Sequence, residues 1–378
     1  MSAADRDRLA RVALGRLAEP GDPRFAGLVA ELGAVGLVDA LIGQRDLGGL
    51  LADVAGRVEA MGPERELERA ERLGIRFLIP SDAEWPRQLD DLEGSEPLQN
   101  RCGVPFGLWV KGPVRLDELA GSVAVVGSRS ATSYGGDVAA DLAAVVARAG
   151  HPVVSGAAFG IDQAAHRGAL AAGGRTVAVL ACGVDRAYPA AHKTLLDHLG
   201  AHGAVVSEVP IGCSPTRLRF LARNRIIAAL TRGTVVVEAA VRSGALNTAN
   251  WAGRLNRTVL GVPGPVTSAP SQGVHQLIRS GAATLVTSGA EVLEMVGGAG
   301  EHLVEEPRAR ARPRDRLPWR DQQVLDAVPV STGARADSIA RTAGLGLLEV
   351  RSTLTRLERA GLVVAGEAGW RLAALAHT

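Results

Sequence analysis

The 378-residue chain contains three cysteines, Cys102, Cys182 and Cys213, odd in number and far apart, with no CxxC pair. Their scarcity excludes a disulfide framework and a structural zinc site, and reduced, buried thiols are expected. Charge of one sign is equally scarce. A formal net charge of +2 excludes polyanion binding by the chain as a whole and leaves only local arginine clusters to do it. No uninterrupted apolar run reaches about 18 residues, and the first turns carry Asp and Arg, so neither a membrane span nor a signal peptide is read and a cytoplasmic protein is expected. The glycine loop after the first predicted strand is not G-x-G-x-x-G, and G-x-x-x-x-G-K-[ST] occurs nowhere, which removes the main support for dinucleotide and P-loop NTPase readings. No cofactor, metal or catalytic residue is assigned.

What is present is ordinary globular composition, 47% hydrophobic and 22% charged, over a length that allows two or three domains. Apolar residues recur at helical spacing up to about Gly94, giving a small helical, SAM-like domain over 1–95 and a connector over 96–122. From Val123 the pattern changes to short apolar runs (VAVVG, PVVSG, TVAVLACG, AVVSE, TVVVEAA) separated by helical stretches. That alternation predicts a Rossmann-like, doubly wound, mostly parallel α/β sheet over 123–297. A Gly-, Pro- and charge-rich linker follows over 298–317. Three helical segments and a hairpin pattern over 318–378 read as a winged helix.

Ligands of such sheets sit beyond the carboxyl ends of the strands, where glycines admit backbone amides and helix N-termini favour anions. The first strand runs into Gly127-Ser128-Arg129-Ser130, which places Arg129 to pair with phosphate and Ser128 beside it. The second ends in Ser155-Gly156 and leads through Gly160 to a helix, a second anion nest in which Ser155 can donate. Asp162 reads as a helix N-cap or a ligand, and His166, one turn on, as a structural histidine rather than half of a catalytic pair. Tyr188 either stacks on a base or closes the turn before Pro189. The densest basic cluster is Arg217, Arg219, Arg223 and Arg225, with Phe220 and Asn224 among them and no acid between Pro215 and Arg232. Cations that track phosphates around a ring that stacks on bases suit a single nucleic-acid strand. Ser243 and Gly244, at a further helix start, supply neutral donors. Glu238 is expected to hold a backbone amide or an arginine such as Arg225, with a catalytic base as the minority reading.

Taken in order, VAVVGSRSATSYG, SGAAFGIDQAAHRGAL, TVAVLACGVDRAYP, VVSEVPIG, ARNRIIAAL, VVVEAAVRSGALNTA and VPGPVTSAPSQGVHQLIRSGA resemble the DNA-processing protein A family (DprA, also called Smf). The resemblance implies a single-stranded-DNA-binding recombination mediator that protects DNA taken up in natural transformation, loads the recombinase RecA and forms a homodimer. It also implies DNA contacts at Arg129, the Ser155–Gly160 turn, the arginines of ARNRIIA and Asn224. Phe159 departs from the family pattern, which has a basic residue there, so a phosphate contact at that position is either lost or exchanged for stacking.

Two other readings compete. Arg232-Gly233-Thr234 to Glu238 partly echoes the glycine loop of nucleotide phosphoribohydrolases, without its PGG leader. The winged helix could instead regulate duplex DNA, with Leu347, Val350, Leu354 and Leu357 buried and Arg351, Arg356 and Arg359 left to reach a groove or phosphates. From Trp319 onward, however, seven arginines face six acids, too even a balance for strong duplex binding.

Overall fold

The computed structural model describes residues 2–45, 47–59, 62–304 and 312–376. The chain divides into two compact units, Met1–Val304 and Glu305–Thr378. The first opens with four helices, α1 (Ala3–Leu17), α2 (Pro23–Ile42), α3 (Leu50–Glu59) and α4 (Pro63–Arg72). A capping box between Ser2 and Asp5 starts α1, and the Asp22 cap with Pro23 behind it starts α2. By length and composition α2 could cross a membrane. Its Phe25, Ala34, Leu37, Val38 and Leu41 are instead buried in one cluster with Leu14, Leu17, Leu50 and Val54, and Gly33 breaks it with a φ of 72°, so one face of it belongs to the helical core while Leu32 and Ile42 are exposed.

Two short strands follow, β1 (Ile75–Leu78) and β2 (Leu108–Lys111), and then the alternating series β3 (Val123–Val126), α5 (Ser133–Arg148), β4 (Val153–Ser155), α6 (Ile161–Ala171), β5 (Thr176–Val179), α7 (Lys193–His202), β6 (Ala204–Ser207), α8 (Arg217–Leu230), β7 (Gly233–Val236), α9 (Gly244–Arg254), β8 (Thr258–Gly261), α10 (Gln272–Arg279), β9 (Thr284–Leu285) and α11 (Gly289–Val296). The nine strands form one sheet in the order β1-β2-β6-β5-β4-β3-β7-β8-β9. From β6 to β9 every pairing is parallel, while β1 and β2 add an antiparallel edge beside β6. The stretch to residue 95 is therefore not wholly helical, and 96–122 is not only a connector. Four-residue strands such as IRFL are too short to separate from helix by periodicity, and the compact unit has no boundary at 95 or 122.

The continuous apolar runs are explained by burial on both faces. Ala124, Val126, Val154, Val177 and Val179 pack under α8 and α9, whereas Val123, Val125, Val153 and Val235 pack under α5, α6 and α11. The strand order reverses between β3 and β7, so the crevice at their carboxyl ends is the topological switch point.

The second unit comprises α12 (Trp319–Asp326), α13 (Ala336–Ala343), α14 (Leu347–Arg359) and an antiparallel hairpin of β10 (Val363–Gly366) and β11 (Gly369–Leu372). Val324, Ile339, Val350, Leu354, Leu357 and Val363 form its core, and Ala334 bridges to Trp370, a winged-helix arrangement. Of the expected 298–317 linker, 305–311 lie outside the described residues.

Candidate nucleic-acid interface

Loops after β3, β4 and β7 are laced together at the switch point. Ser128 donates its amide to Glu238 O at 2.7 Å and accepts at its own carbonyl from the Ile161 amide at 3.2 Å. Glycine is required twice here. A Cβ on Gly160, whose φ is 76°, would lie 2.3 Å from Ser128 O, and one on Gly156 would lie 1.2 Å from Nη1 of Arg223. The second clash shows what the nest covers: the guanidinium of Arg223, 7% exposed, lies directly against the Gly156 backbone.

Arg223 has weak compensation. Its nearest carboxylate among the described residues is Asp162 at 4.0 Å, its Nη1 reaches Val179 O only at 3.4 Å, and its Nε has no partner among them. Burial pushes the guanidinium below its ordinary value, with Asp162 opposing the shift and Arg129 adding to it. Burial likewise raises the Asp162 carboxyl, opposed chiefly by Arg223. Asp162 is not the N-cap, a place held by Gly160; it accepts from the Ala158 amide at 3.3 Å and so steadies the nest.

Above Arg223 lies an aromatic cleft of about 40 Å³, lined by Arg129, Phe159, Cys182, Tyr188, Pro189 and Phe220. It is too small to enclose a nucleotide, so a base would lie on its walls. Exposed Arg129 stacks over Phe220 with 4.5 Å from Cζ to the ring centroid, a cation–π contact. Tyr188 stands 5.7 Å from the same ring. Phe159 is 47% exposed and packs edge-on against His192 at 4.7 Å, so it presents a ring where the family pattern has a charge. A cavity of about 760 Å³ between the N-terminal helices has mainly apolar walls, including Leu9, Ala13, Val38 and Leu51, and does not gather these groups.

The structure does not bring all the predicted residues to this surface. Arg225 is 0% exposed and forms a two-point ion pair with Glu208, both contacts 2.7 Å, while its Nε donates to Gly103 O at 3.0 Å. The expected phosphate contact is thus corrected to an internal clamp. Arg219 is held by Glu19 at 2.8 and 2.9 Å. Ser155 is buried and donates to Val125 O at 2.7 Å, so it is no ligand donor. Asn224 is buried with Asn247 at 3.1 Å and Gly244 O at 3.3 Å. Ser243 caps α9 through the Ala245 amide at 3.3 Å, and Gly244 is exposed beside it. Arg217 is exposed, and Ser128 accepts from the Ser130 amide at 3.2 Å.

The Glu238 carboxylate accepts from the Thr132 amide at 3.0 Å and from the Thr132 hydroxyl at 2.5 Å. It does hold a backbone amide, but not Arg225, and a base so occupied and 1% exposed is not free for catalysis. His166 is structural, its Nδ1 bonded to Thr176 Oγ1 at 2.7 Å. Cys102 and Cys182 are buried, whereas Cys213 is only half-buried, with Nη1 of Arg16 at 3.2 Å. Burial pushes the Cys182 thiol up to about 11. In the second unit Arg356 is exposed as expected but is also held by Asp321 at 2.6 and 3.2 Å.

Residues 76–297 match the family described as DNA recombination-mediator protein A. A Mycobacterium tuberculosis protein named for DNA processing, DprA, is 46% identical over 363 residues, covering 95% of this chain and 92% of its own length. The Streptococcus pneumoniae DNA processing protein DprA is 39% identical over 248 residues, 65% of this chain and 86% of that protein. Among solved structures, DprA from Streptococcus pneumoniae superposes with a TM-score of 0.63 at 32% identity, covering 74% of this chain and 95% of that one. DNA processing protein A from Helicobacter pylori, solved for its single-stranded-DNA binding mode, gives 0.50 at 26% identity over 58% of this chain and 94% of that one. The chain belongs to the DNA recombination-mediator protein A family, DprA.

Proposed function

We propose that this protein binds single-stranded DNA at the carboxyl ends of β3, β4 and β5 and along the first turns of α8, and that it acts there as a non-enzymatic recombination mediator. The observation that carries the reading is the buried Arg223 guanidinium behind the Gly156 nest, with Arg129 stacked on Phe220 beside it. A poorly compensated buried cation just behind the nest favours phosphate at short range, and the half-buried Phe220 ring, covered in the free state by Arg129, offers a base its face once that arginine moves. The family's Helicobacter pylori member binds single-stranded DNA, which supports the same ligand class here. In this reading the protein is cytoplasmic and homodimeric, protects DNA taken up in transformation and loads a RecA-type recombinase on it.

The test is fluorescence anisotropy with an oligo-dT probe and the variant Arg129→Ala/Phe220→Ala. Loss of the stack should weaken binding by about 1–3 kcal/mol per base, and loss of one phosphate contact should lower the logarithmic salt slope by about 0.7. Unchanged affinity and slope would refute the site. Recombinase loading is checked by the lag before RecA hydrolyses ATP on coated single strands, which the wild type should shorten and this variant should not.

A further inference from the structure

Gln99 and Asn100 are the tip of a two-residue hairpin closed by Leu98 and Arg101, whose backbones exchange hydrogen bonds of 2.9 and 3.1 Å. Both tip residues are left-handed, with φ of 51° and 60°, the geometry of a type I′ turn in which Asn-Gly is the common choice. Glycine would hold Gln99's place without strain. A long side chain kept at a strained turn position has a task that the turn itself does not set.

That side chain ends a chain of amides. Asn224 Nδ2 donates to Asn247 Oδ1 at 3.1 Å, and Asn247 Nδ2 donates to Gln99 Oε1 at 3.1 Å. Asn224 and Asn247 are buried, 7% and 6% exposed, while Gln99 and Asn100 are exposed. The chain therefore runs from the interior of α8 and α9 outward and finishes at Gln99 Nε2, whose two donor hydrogens have no protein partner among the described residues. The hairpin is fixed from behind. Arg101, 6% exposed, donates to Pro20 O at 3.0 Å, Arg254 donates to Glu96 O at 3.1 Å, and the Cys102 amide donates to Gly21 O at 3.0 Å. A donor held this firmly is preorganised.

Asn224, the inner end of the amide chain, follows Phe220 by one turn of α8, about 6 Å along the axis, and Gln99 lies two hydrogen bonds farther out. An uncharged amide there fits the edge of a base better than a phosphate. We infer that Gln99 is a further nucleic-acid contact, its Nε2 donating to an acceptor on the edge of a base farther along the strand that crosses Phe220. The inference rests on the strand track proposed above and adds base-edge recognition from a hairpin outside the Rossmann-like strand ends.

The test uses the full chain, Gln99→Gly to keep the left-handed turn, and two probes of equal length, oligo-dT and an abasic strand. Affinity for oligo-dT should fall about fivefold, as for one lost hydrogen bond, with the abasic affinity and the salt slope unchanged. Loss of a purely structural support for Asn247 would change both probes alike. An equal change on both, or none on either, overturns the inference. Arg129→Ala measured in parallel separates the claims: unaltered binding there refutes the track, whereas a loss there with equal probe ratios for Gln99→Gly refutes only Gln99's role.

Discussion

Replacing Arg225 by alanine should unfold this protein before it impairs DNA binding, although Arg225 sits in the densest basic segment of the sequence. The guanidinium is wholly buried, with both terminal nitrogens 2.7 Å from Glu208 and further bonds to Gly103 O at 3.0 Å and Ala222 O at 2.9 Å. Truncation leaves the Glu208 carboxylate, 8% exposed, without its counter-ion. Removing one partner of a buried pair costs about 3–5 kcal/mol, because the remaining charge stays desolvated. At roughly 2–3 °C per kcal/mol for a unit of this size, the melting point should fall by about 6–15 °C. Arg225→Met/Glu208→Leu removes both charges and should recover part of that loss; the orphaned Gly103 and Ala222 carbonyls would keep the recovery incomplete. The assay is thermal unfolding by circular dichroism, paired with oligo-dT anisotropy well below the transition, where Arg225→Ala should bind as wild type. A variant that melts normally but loses oligo-dT would place this guanidinium on phosphate and refute the argument from burial.

Two further outcomes follow from the buried layer beneath the nest. Gly156→Ala puts a Cβ 1.2 Å from Arg223 Nη1, so the guanidinium must leave and oligo-dT affinity should drop; the double variant with Arg223→Ala should bind no worse than Arg223→Ala alone, and additive losses would contradict the shared cause. Burial, with His192 and Arg223 adding to it, pushes His166 from 6.5 down to about 3. Between those values the unfolded chain binds a proton that the folded chain does not, so His166's contribution is complete above about pH 6.5 and is lost toward pH 3, by at most about 1.4 kcal/mol per unit. Urea unfolding from pH 6 to pH 4 should show a shallower decline in His166→Gln than in wild type, and parallel declines would contradict the assignment.

The parallel sheet is legible in the sequence because its strands are buried on both faces, so VAVV carries no polar residue and TVAV only Thr176 at its first position. The glycine loops are legible for a related reason, since their positions require the absence of a Cβ. Strands β1 and β2 are not, being four residues each and far apart in the chain. The arginine segment is legible as composition but not as geometry. Helix α8 is buried continuously from Ala222 to Leu230, and its Arg225, like Arg219 in its first turn, is paired with an acid from elsewhere in the chain. Those acids, Glu208 and Glu19, lie 17 and 200 residues away in sequence, which is why a stretch free of acids reads as an exposed basic face. Asn247 and Gln99, 148 residues apart, are hidden in the same way.

A net charge of +2 gives little long-range attraction for a polyanion, and with Arg219 and Arg225 paired internally the predicted arginines left for the proposed ligand are Arg129, Arg217 and the buried Arg223. Binding in such a protein must come from contact rather than from field. Arg223 is desolvated and screened little by salt, while Arg129 already rests on Phe220 at 4.5 Å. In the proposed site, a base that takes the Phe220 face would displace Arg129 and leave it free for a nearby phosphate. The stack seen here keeps the ring covered and the arginine close by, so one exchange of partners would supply both the stacking and the ionic contact that a single strand requires.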